Sequence, residues 1–298
     1  MRKLLRVIVI LLTFKGYSQL NGTVINSQTK AKIPFVNISV ANKNIGTNTN
    51  ASGEFTLSIK DNETLIFSAL GYQTKTVLVS AINNKIIALD PAVIALHEVD
   101  VMPRRETKLL QVGSFEERSI KSYFECNEFP WLSGQYFKYS NNYYDTPFLS
   151  EIKLVTKSRV KDAKFNLRLY TINEQGKPED FLYNSNIIAV AKKGKHITTV
   201  NISNLNIKFP ENGLYVAIEW FAIPSNKYSN HYKILKEKYE AINYEPLIGV
   251  IPTDNLEEKC QTYTTNLKDE GQFNAIIDFG NTIKKQYHKL AMQLILTN

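Results

Sequence analysis

Four histidines, His97, His196, His231 and His288, two cysteines, Cys126 and Cys260, and 28 acidic residues are the side chains of this chain most able to do chemistry. No two histidines fall at a spacing that would bring both imidazoles onto one metal ion. The sequence holds no His-Glu-x-x-His, no Gly-x-Ser-x-Gly, no phosphate-cradling Gly-x-x-x-x-Gly-Lys and no Cys-x-x-Cys. What stays open is a pair of acids distant in sequence that meet in the fold, as in glycosidases, and no spacing singles out such a pair. Catalytic residues, cofactor-binding residues and metal ligands are therefore all assigned as none, and a non-enzyme without a cofactor is expected. Aromatic rings give the other lead. Most of the 16 tyrosines and 15 phenylalanines suit strands and sandwich cores. Phe129-Pro130-Trp131 and Tyr143-Tyr144-Asp145, however, lie in irregular stretches. An exposed ring there is a stacking platform for a sugar or peptide, which makes Trp131, Tyr143 and Tyr144 the candidate ligand-binding residues.

The first nineteen residues read as an export signal. Arg2, Lys3 and Arg6 form a basic start, Val7 to Phe14 is apolar apart from Thr13, and Gly16-Tyr17-Ser18 offers small residues for cleavage. The run is far shorter than the roughly 20 apolar residues of a spanning helix, and no cysteine follows it to accept a lipid. No transmembrane segment is expected in the mature chain, and the expected location is the periplasm or the outer membrane of a Gram-negative-type envelope. The signal also holds four basic residues and no acid; without it 32 basic residues face 28 acidic ones, a net of +4. Lys and Arg are scattered between strands rather than gathered on one element, which argues against nucleic acid as a partner. In an oxidising compartment Cys126 and Cys260 have two fates: a disulfide, or separate burial as small hydrophobes.

Between residues 20 and 101 the chain alternates as half-buried strands do. Runs at 22–25, 35–40, 53–59, 64–68, 74–79 and 85–89 are each bounded by turn formers. Within the second, Val36, Ile38 and Val40 share one face, opposite Phe35, Asn37 and Ser39. Gly46 and Gly53 flank a loop over 48–52 and are expected at positive φ. Taken together, Gly22-Thr23-Val24, Ile33 to Ile38, Gly46 to Phe55, Leu65 to Tyr72 and Leu96-His97-Glu98-Val99-Asp100-Val101 resemble the carboxypeptidase regulatory-like domain. The resemblance implies a transthyretin-like β-sandwich with no catalytic chemistry of its own. Such domains often preface TonB-dependent outer-membrane receptors of the starch-utilisation type. Too few residues follow Val101 here for a plug and a twenty-two-stranded barrel, so a different body is expected.

Residues 102–113, with Pro103-Arg104-Arg105, read as a linker, with a short helix over 106–111 and Gly113 ending it. Residues 114–298 read as a second β-sandwich. Its strands are expected at 135–139, 151–156, 164–170, 187–191, 197–202, 214–220, 247–251, 274–279 and 290–296, with turns at Asn173 to Pro178 and Pro210 to Gly213. Tyr232, Leu235, Lys236 and Tyr239 sit at helical spacing, so 225–244 is expected as a short helix or long loop projecting from the sandwich. The order of strands and turns resembles jelly-roll modules of the carbohydrate-binding kind and transfers no ligand residues. The fold class is thus all-β: a transthyretin-like sandwich followed by a jelly-roll-like one. The expected function is that of an exported, non-catalytic envelope protein acting as a binding or assembly module, with an envelope protein or a surface glycan as partner. The alternative is a glycan-binding module of a nutrient-uptake system.

Overall fold

The computed structural model describes residues 18–92 and 106–298, apart from 44, 61, 83, 128–131, 175, 235, 236, 258, 260, 265–273 and 276–286. The export signal, the segment from Leu96 to Val101, Trp131 and Cys260 therefore lie outside the described residues.

The chain is all-β and builds two sandwiches. Among the described residues seven strands make the first: β1 (Ser18–Asn26), β2 (Asn37–Val40), β3 (Gly46–Asn48), β4 (Glu54–Ile59), β5 (Thr64–Ser68), β6 (Lys75–Leu78) and β7 (Ile86–Leu89). They form a three-stranded sheet, β4-β1-β7, and a four-stranded sheet, β3-β2-β5-β6. β4 shows the cause of the packing: Phe55, Leu57 and Ile59 point inward while Glu54, Thr56 and Ser58 face water. They close on Val24, Val36, Ile38, Leu65, Phe67 and Leu89, and the Phe55 and Phe67 rings meet edge to face at 5.8 Å. Burial of each such side chain contributes about 1.5–3 kcal/mol before the chain entropy that opposes it. The expected loop differs at its start. Residues 46–48 are strand β3, paired with β2, and Gly46 is extended. Gly53 alone takes the left-handed turn, at φ 71°, where a Cβ would sit 3.0 Å from that of Lys32.

The second sandwich begins with β8 (Leu109–Val112), β9 (Ser122–Cys126), β10 (Leu132–Phe137), β11 (Phe148–Ser158) and β12 (Ala163–Ile172). It continues with β13 (Pro178–Phe181), β14 (Ile187–Ala191), β15 (Gly194–Asn201) and β16 (Leu214–Trp220). β17 (Lys227–Ile234), β18 (Glu237–Thr253), β19 (Gln261–Thr264), β20 (Asn274–Ala275), β21 (Tyr287–Leu290) and β22 (Met292–Thr297) complete it. One sheet has the order β13-β12-β16-β10-β19-β20 with β14 on β12. The other has the order β17-β18-β11-β22-β8, with β15 on β11 and with β9 and β21 on β18. Leu167, Leu169, Val216 and Ile218 from the first sheet pack against Ile152, Leu154, Ile248 and Leu294 from the second. Trp220 ties the layers, its indole N–H donating to the Pro246 carbonyl at 2.6 Å.

Two expectations are corrected here. Pro224–Asn226 is a single 3-10 turn, and after it no projecting helix is present among the described residues: Lys227–Ile234 and Glu237–Thr253 form a hairpin in register from Lys227↔Tyr244 to Ile234↔Glu237. Tyr232 and Tyr239 are cross-strand partners in that register, so their separation of seven, which also fits two helical turns, belongs to a hairpin. The helix expected over 106–111 is replaced by β8, which pairs with β22 from Leu109↔Thr297 to Val112↔Leu294. The end of the chain fixes that strand: Asn298 Oδ1 accepts from the backbone N–H groups of Thr107 and Lys108 at 2.9 and 3.0 Å. The second half of the stretch expected as linker is thus part of the second sandwich.

Candidate functional site

A cleft of about 310 Å³ opens on the second sandwich, lined by residues from five parts of the sequence. β10 contributes Gln135, Tyr136 and Phe137, with Lys138 just beyond it; the turn after Tyr139 contributes Tyr143; Asn255 and Glu257 follow β18; and Lys289 and Leu290 come from β21. Val112, Gly113, Ser114 and Met292 complete the wall. β10 is held between β16 and β19, so its side chains alternate faces and the sheet fixes their spacing. Gln135 is positioned further by its own amide, whose Oε1 accepts from the Leu290 N–H at 2.9 Å. On the rim Lys138 Nζ stands 3.7 Å from Glu257 Oε2, both side chains mostly exposed.

Tyr143 ends a short 3-10 turn, Asn141–Tyr143, capped by Ser140, whose side chain accepts from the Asn142 N–H. Its ring is half-buried and meets Tyr139 edge on at 5.7 Å and Phe209 at 5.1 Å. Burial raises its phenol pKa above the ordinary value. Tyr144, the next residue, is 82% exposed and does not line the cleft. Its neighbour Asp145 pairs with Lys108 at 2.9 Å on the surface. Of the three candidate rings, then, Tyr143 lies in the cleft, Tyr144 stands outside it, and Trp131 falls outside the described residues. Reasoning from sequence missed Gln135, Tyr136, Lys138, Glu257 and Lys289. Tyr136 sits in an expected strand, where an aromatic reads as core; Glu257 and Lys289 are brought in by long-range pairing, and no local pattern marks them.

Among the described acids, only Glu219 and Glu245 are buried, and each is tied to an arginine. Glu219 Oε2 accepts from Arg168 Nη2 at 2.7 Å, Arg168 Nε at 2.9 Å and Asn166 Nδ2 at 2.9 Å. Glu245 Oε1 accepts from Arg159 Nε at 2.5 Å, and its Oε2 from the Arg159 backbone N–H at 3.2 Å. Arg159 also lies 4.3 Å over the Tyr228 ring, a cation–π contact. Beside these pairs, Tyr170 is enclosed and its phenol pKa pushed far up by desolvation. Among the described residues no three His, Cys, Asp or Glu side chains come together as a metal site, and none of the helices is long and apolar enough to cross a membrane. Cys126 is buried, with Sγ 3.5 Å from the Asn127 carbonyl; Cys260, the other half of the candidate disulfide, lies outside the described residues.

Residues 20–101 match the family model of the CarboxypepD_reg-like domain. The N-terminal sandwich is therefore such a domain, over the boundaries that its sequence motifs resemble, and a domain of this type suggests a binding or regulatory module. No curated protein matches the chain. Among solved structures it is similar to a clostridial cysteine protease, Cwp84, after propeptide cleavage, with 12% identity, a TM-score of 0.38, and coverage of 93% of this chain and 70% of that one. A second similar structure holds the cysteine protease and lectin-like domains of Cwp84, a surface layer associated protein of Clostridium difficile. It has 10% identity, a TM-score of 0.37, and coverage of 89% of this chain and 58% of that one. The infectious bursal disease virus Gx strain follows at 9% identity and a TM-score of 0.24, covering 93% of this chain and 59% of that one. At these scores none of the three likenesses transfers an activity.

Proposed function

We propose that this chain is an exported, non-catalytic binding or assembly module of a Gram-negative-type envelope, and that its ligand or partner is taken in the Tyr143 cleft. The observation that carries the reading is the composition of that cleft. Two tyrosines, an oriented glutamine and a rim of opposite charges line a volume of about 310 Å³, at the lower end of the size usual for small-ligand sites. A non-catalytic role is supported by the state of the buried acids. Glu219 and Glu245 are each engaged by an arginine, which leaves neither poised to give or take a proton. Export rests on the basic-apolar-small pattern of residues 2–18. Cell fractionation tests the location: recovery of the intact chain from the cytoplasm, with its first nineteen residues still attached, would refute it. Affinity purification of the exported chain tests the module reading. A specific envelope protein recovered by the parent, and lost with Tyr143→Ala, supports it.

A second reading, glycan binding, is favoured by the same rings. A tyrosine edge beside amides and charged groups suits a sugar, which presents an apolar face and a ring of hydroxyls. A glycan array with the mature chain separates the two readings. Binding that falls at least tenfold in Tyr143→Ala or Trp131→Ala, about 1.4 kcal/mol or more, selects the glycan. No sugar bound, with a protein partner recovered, selects assembly. Turnover in a screen of peptides and polysaccharides, abolished by Glu257→Gln, would overturn the non-catalytic part of both.

A further inference from the structure

Ala222 lies in an irregular stretch between β16 and β17, is buried, and has no strand ladder to satisfy its backbone. Both of its polar groups are met from the other sandwich. The Ala222 N–H donates to Asn48 Oδ1 at 2.8 Å, and its carbonyl accepts from Thr47 Oγ1 at 3.1 Å. Without those side chains a buried donor and a buried acceptor would be orphaned. Beside them Phe35 stacks on the fully buried Phe221, with centroids 4.6 Å and planes 14° apart. Phe35 takes φ 58°, a left-handed conformation unfavourable for a bulky residue. Its ring packs on Phe221 and not in the core of its own sandwich. A third contact lies at Gly71, where a Cβ would stand 3.5 Å from the Asn184 carbonyl.

The segments that receive these contacts are themselves anchored to β12. Asn226 mimics a paired strand residue: its Oδ1 accepts from the Lys164 N–H at 2.9 Å and its Nδ2 donates to the Lys164 carbonyl at 2.6 Å and the Phe221 carbonyl at 3.1 Å. Asn166 holds the other segment, accepting from the Ile187 N–H at 2.8 Å and donating to Asn186 at 3.0 Å. From Asn226 the chain runs directly into β17, whose Tyr228 lies under Arg159. We infer that the N-terminal sandwich is a docked clasp, not a tethered head: Phe35, Thr47 and Asn48 form an interaction surface whose partner is the Phe221-Ala222 segment of the same chain. By holding that segment the clasp also sets the root of the β17–β18 hairpin.

The test uses the full mature chain with a protease site inserted between Pro103 and Arg104. After cleavage the two halves are expected to co-elute by size exclusion at micromolar concentration. Thr47→Val combined with Asn48→Ala should weaken their association by at least about tenfold, since two hydrogen bonds to buried groups are lost. Phe35→Gly gives an arm that misfolding does not confound: glycine relaxes the left-handed φ, so the N-terminal sandwich should keep its melting temperature while the halves separate more readily. Halves that part in the unmutated protein would overturn the inference. So would halves that stay together equally well in all the variants, because the seam would then lie elsewhere.

Discussion

The two sandwiches handle charge in opposite ways. In the N-terminal one, Lys32 meets Glu54 at 2.9 Å with both side chains half exposed, and Lys43, itself half exposed, meets the more covered Glu63; the polar side chains it buries, such as Asn37, Ser39 and Thr49, are uncharged. The second sandwich buries Glu219 and Glu245 and gives each an arginine. An exposed pair contributes little because water screens it. A buried pair costs several kcal/mol of desolvation per ion, and its geometry is what keeps the site tolerable. The contrast separates a sandwich whose described buried polar groups are uncharged, Thr49 Oγ1 for instance bonding the Val36 N–H and the Ile33 carbonyl, from one that also depends on the pairing of buried charges. The buried pairs of the second sandwich mark β12, β16 and the turn after β11, where irregular segments must be held.

The largest expected effect tests that reading at Glu245. Glu245 is 0% exposed, and its removal leaves the Arg159 guanidinium partly buried without its main partner. Glu245→Ala should lower unfolding stability by about 3–5 kcal/mol, read as a fall in the denaturant midpoint at unchanged slope. A loss under 1 kcal/mol would mean that Arg159 finds water or Glu125, 3.8 Å away, at no cost, and the contrast between the sandwiches would weaken.

The Arg168–Glu219 pair sharpens the comparison further. If the pair serves specificity more than stability, removing both charges is milder than removing one. Glu219→Ala alone should cost about 3 kcal/mol. Arg168→Met with Glu219→Leu should lie within about 1 kcal/mol of the parent, because the desolvation of two ions disappears with them. The Asn166 N–H that Glu219 accepts loses its partner in the single and the double variant alike, while the bond to Asn186 stays, so it does not bias the comparison between the two. A double variant as unstable as the single one would show that the pair is net stabilising.

The same contrast explains what could be seen in the sequence. The N-terminal strands follow a period of two with turn residues between them, and Phe55, Leu57 and Ile59 alternate with polar neighbours in the sequence as they do in space. Those strands were therefore legible, and so were β14 and β16, whose limits match those expected. The hairpin was not, because Tyr232 and Tyr239 satisfy a helical and a cross-strand spacing equally. β8 and β9 were hidden: residues 106–111 read as a short helix in a charged linker, no strand was expected before residue 135, and the pairing of β8 with β22 and of β9 with β18 is long-range. The site was half legible. Tyr143 stands out as an aromatic in an irregular stretch, whereas Glu257 and Lys289 reach the cleft only because β18 and β21 pair.

A smaller effect distinguishes the enclosed tyrosines of the second sandwich from exposed ones. Desolvation raises the pKa of Tyr170 well above the ordinary 10.0, and that of Tyr143 to a lesser degree. A phenol whose folded pKa is raised contributes stability that is fully present below 10.0 and is lost as pH rises through the folded value. In an alkaline titration Tyr170 should ionise only as the sandwich unfolds. Phenolate absorbance followed beside circular dichroism checks this. Complete ionisation with the β spectrum intact would show that Tyr170 is open to solvent.

The smallest effect belongs to the exposed pair of the first sandwich. A hydrogen bond from Lys32, then the charge of the same lysine, hold the Glu54 carboxyl pKa below its ordinary 4.5, and Asn50 adds a weaker hydrogen bond in the same direction. A carboxylate with a lowered folded pKa contributes stability above the unfolded value and loses it as pH falls through the folded one. Its window therefore lies below 4.5, in the acid limb, and pH 7 is unaffected by its titration. Lys32→Ala should return the Glu54 resonance, followed by carboxyl-detected NMR, toward the ordinary titration midpoint. It should also leave the thermal midpoint at neutral pH where it was, because both side chains are half in water and salt screens what attraction remains. The direction of both readings matters more than their size. A clear fall in the neutral-pH midpoint would mean that the N-terminal sandwich also leans on ion pairing, and the distinction between the two sandwiches would then be one of burial alone.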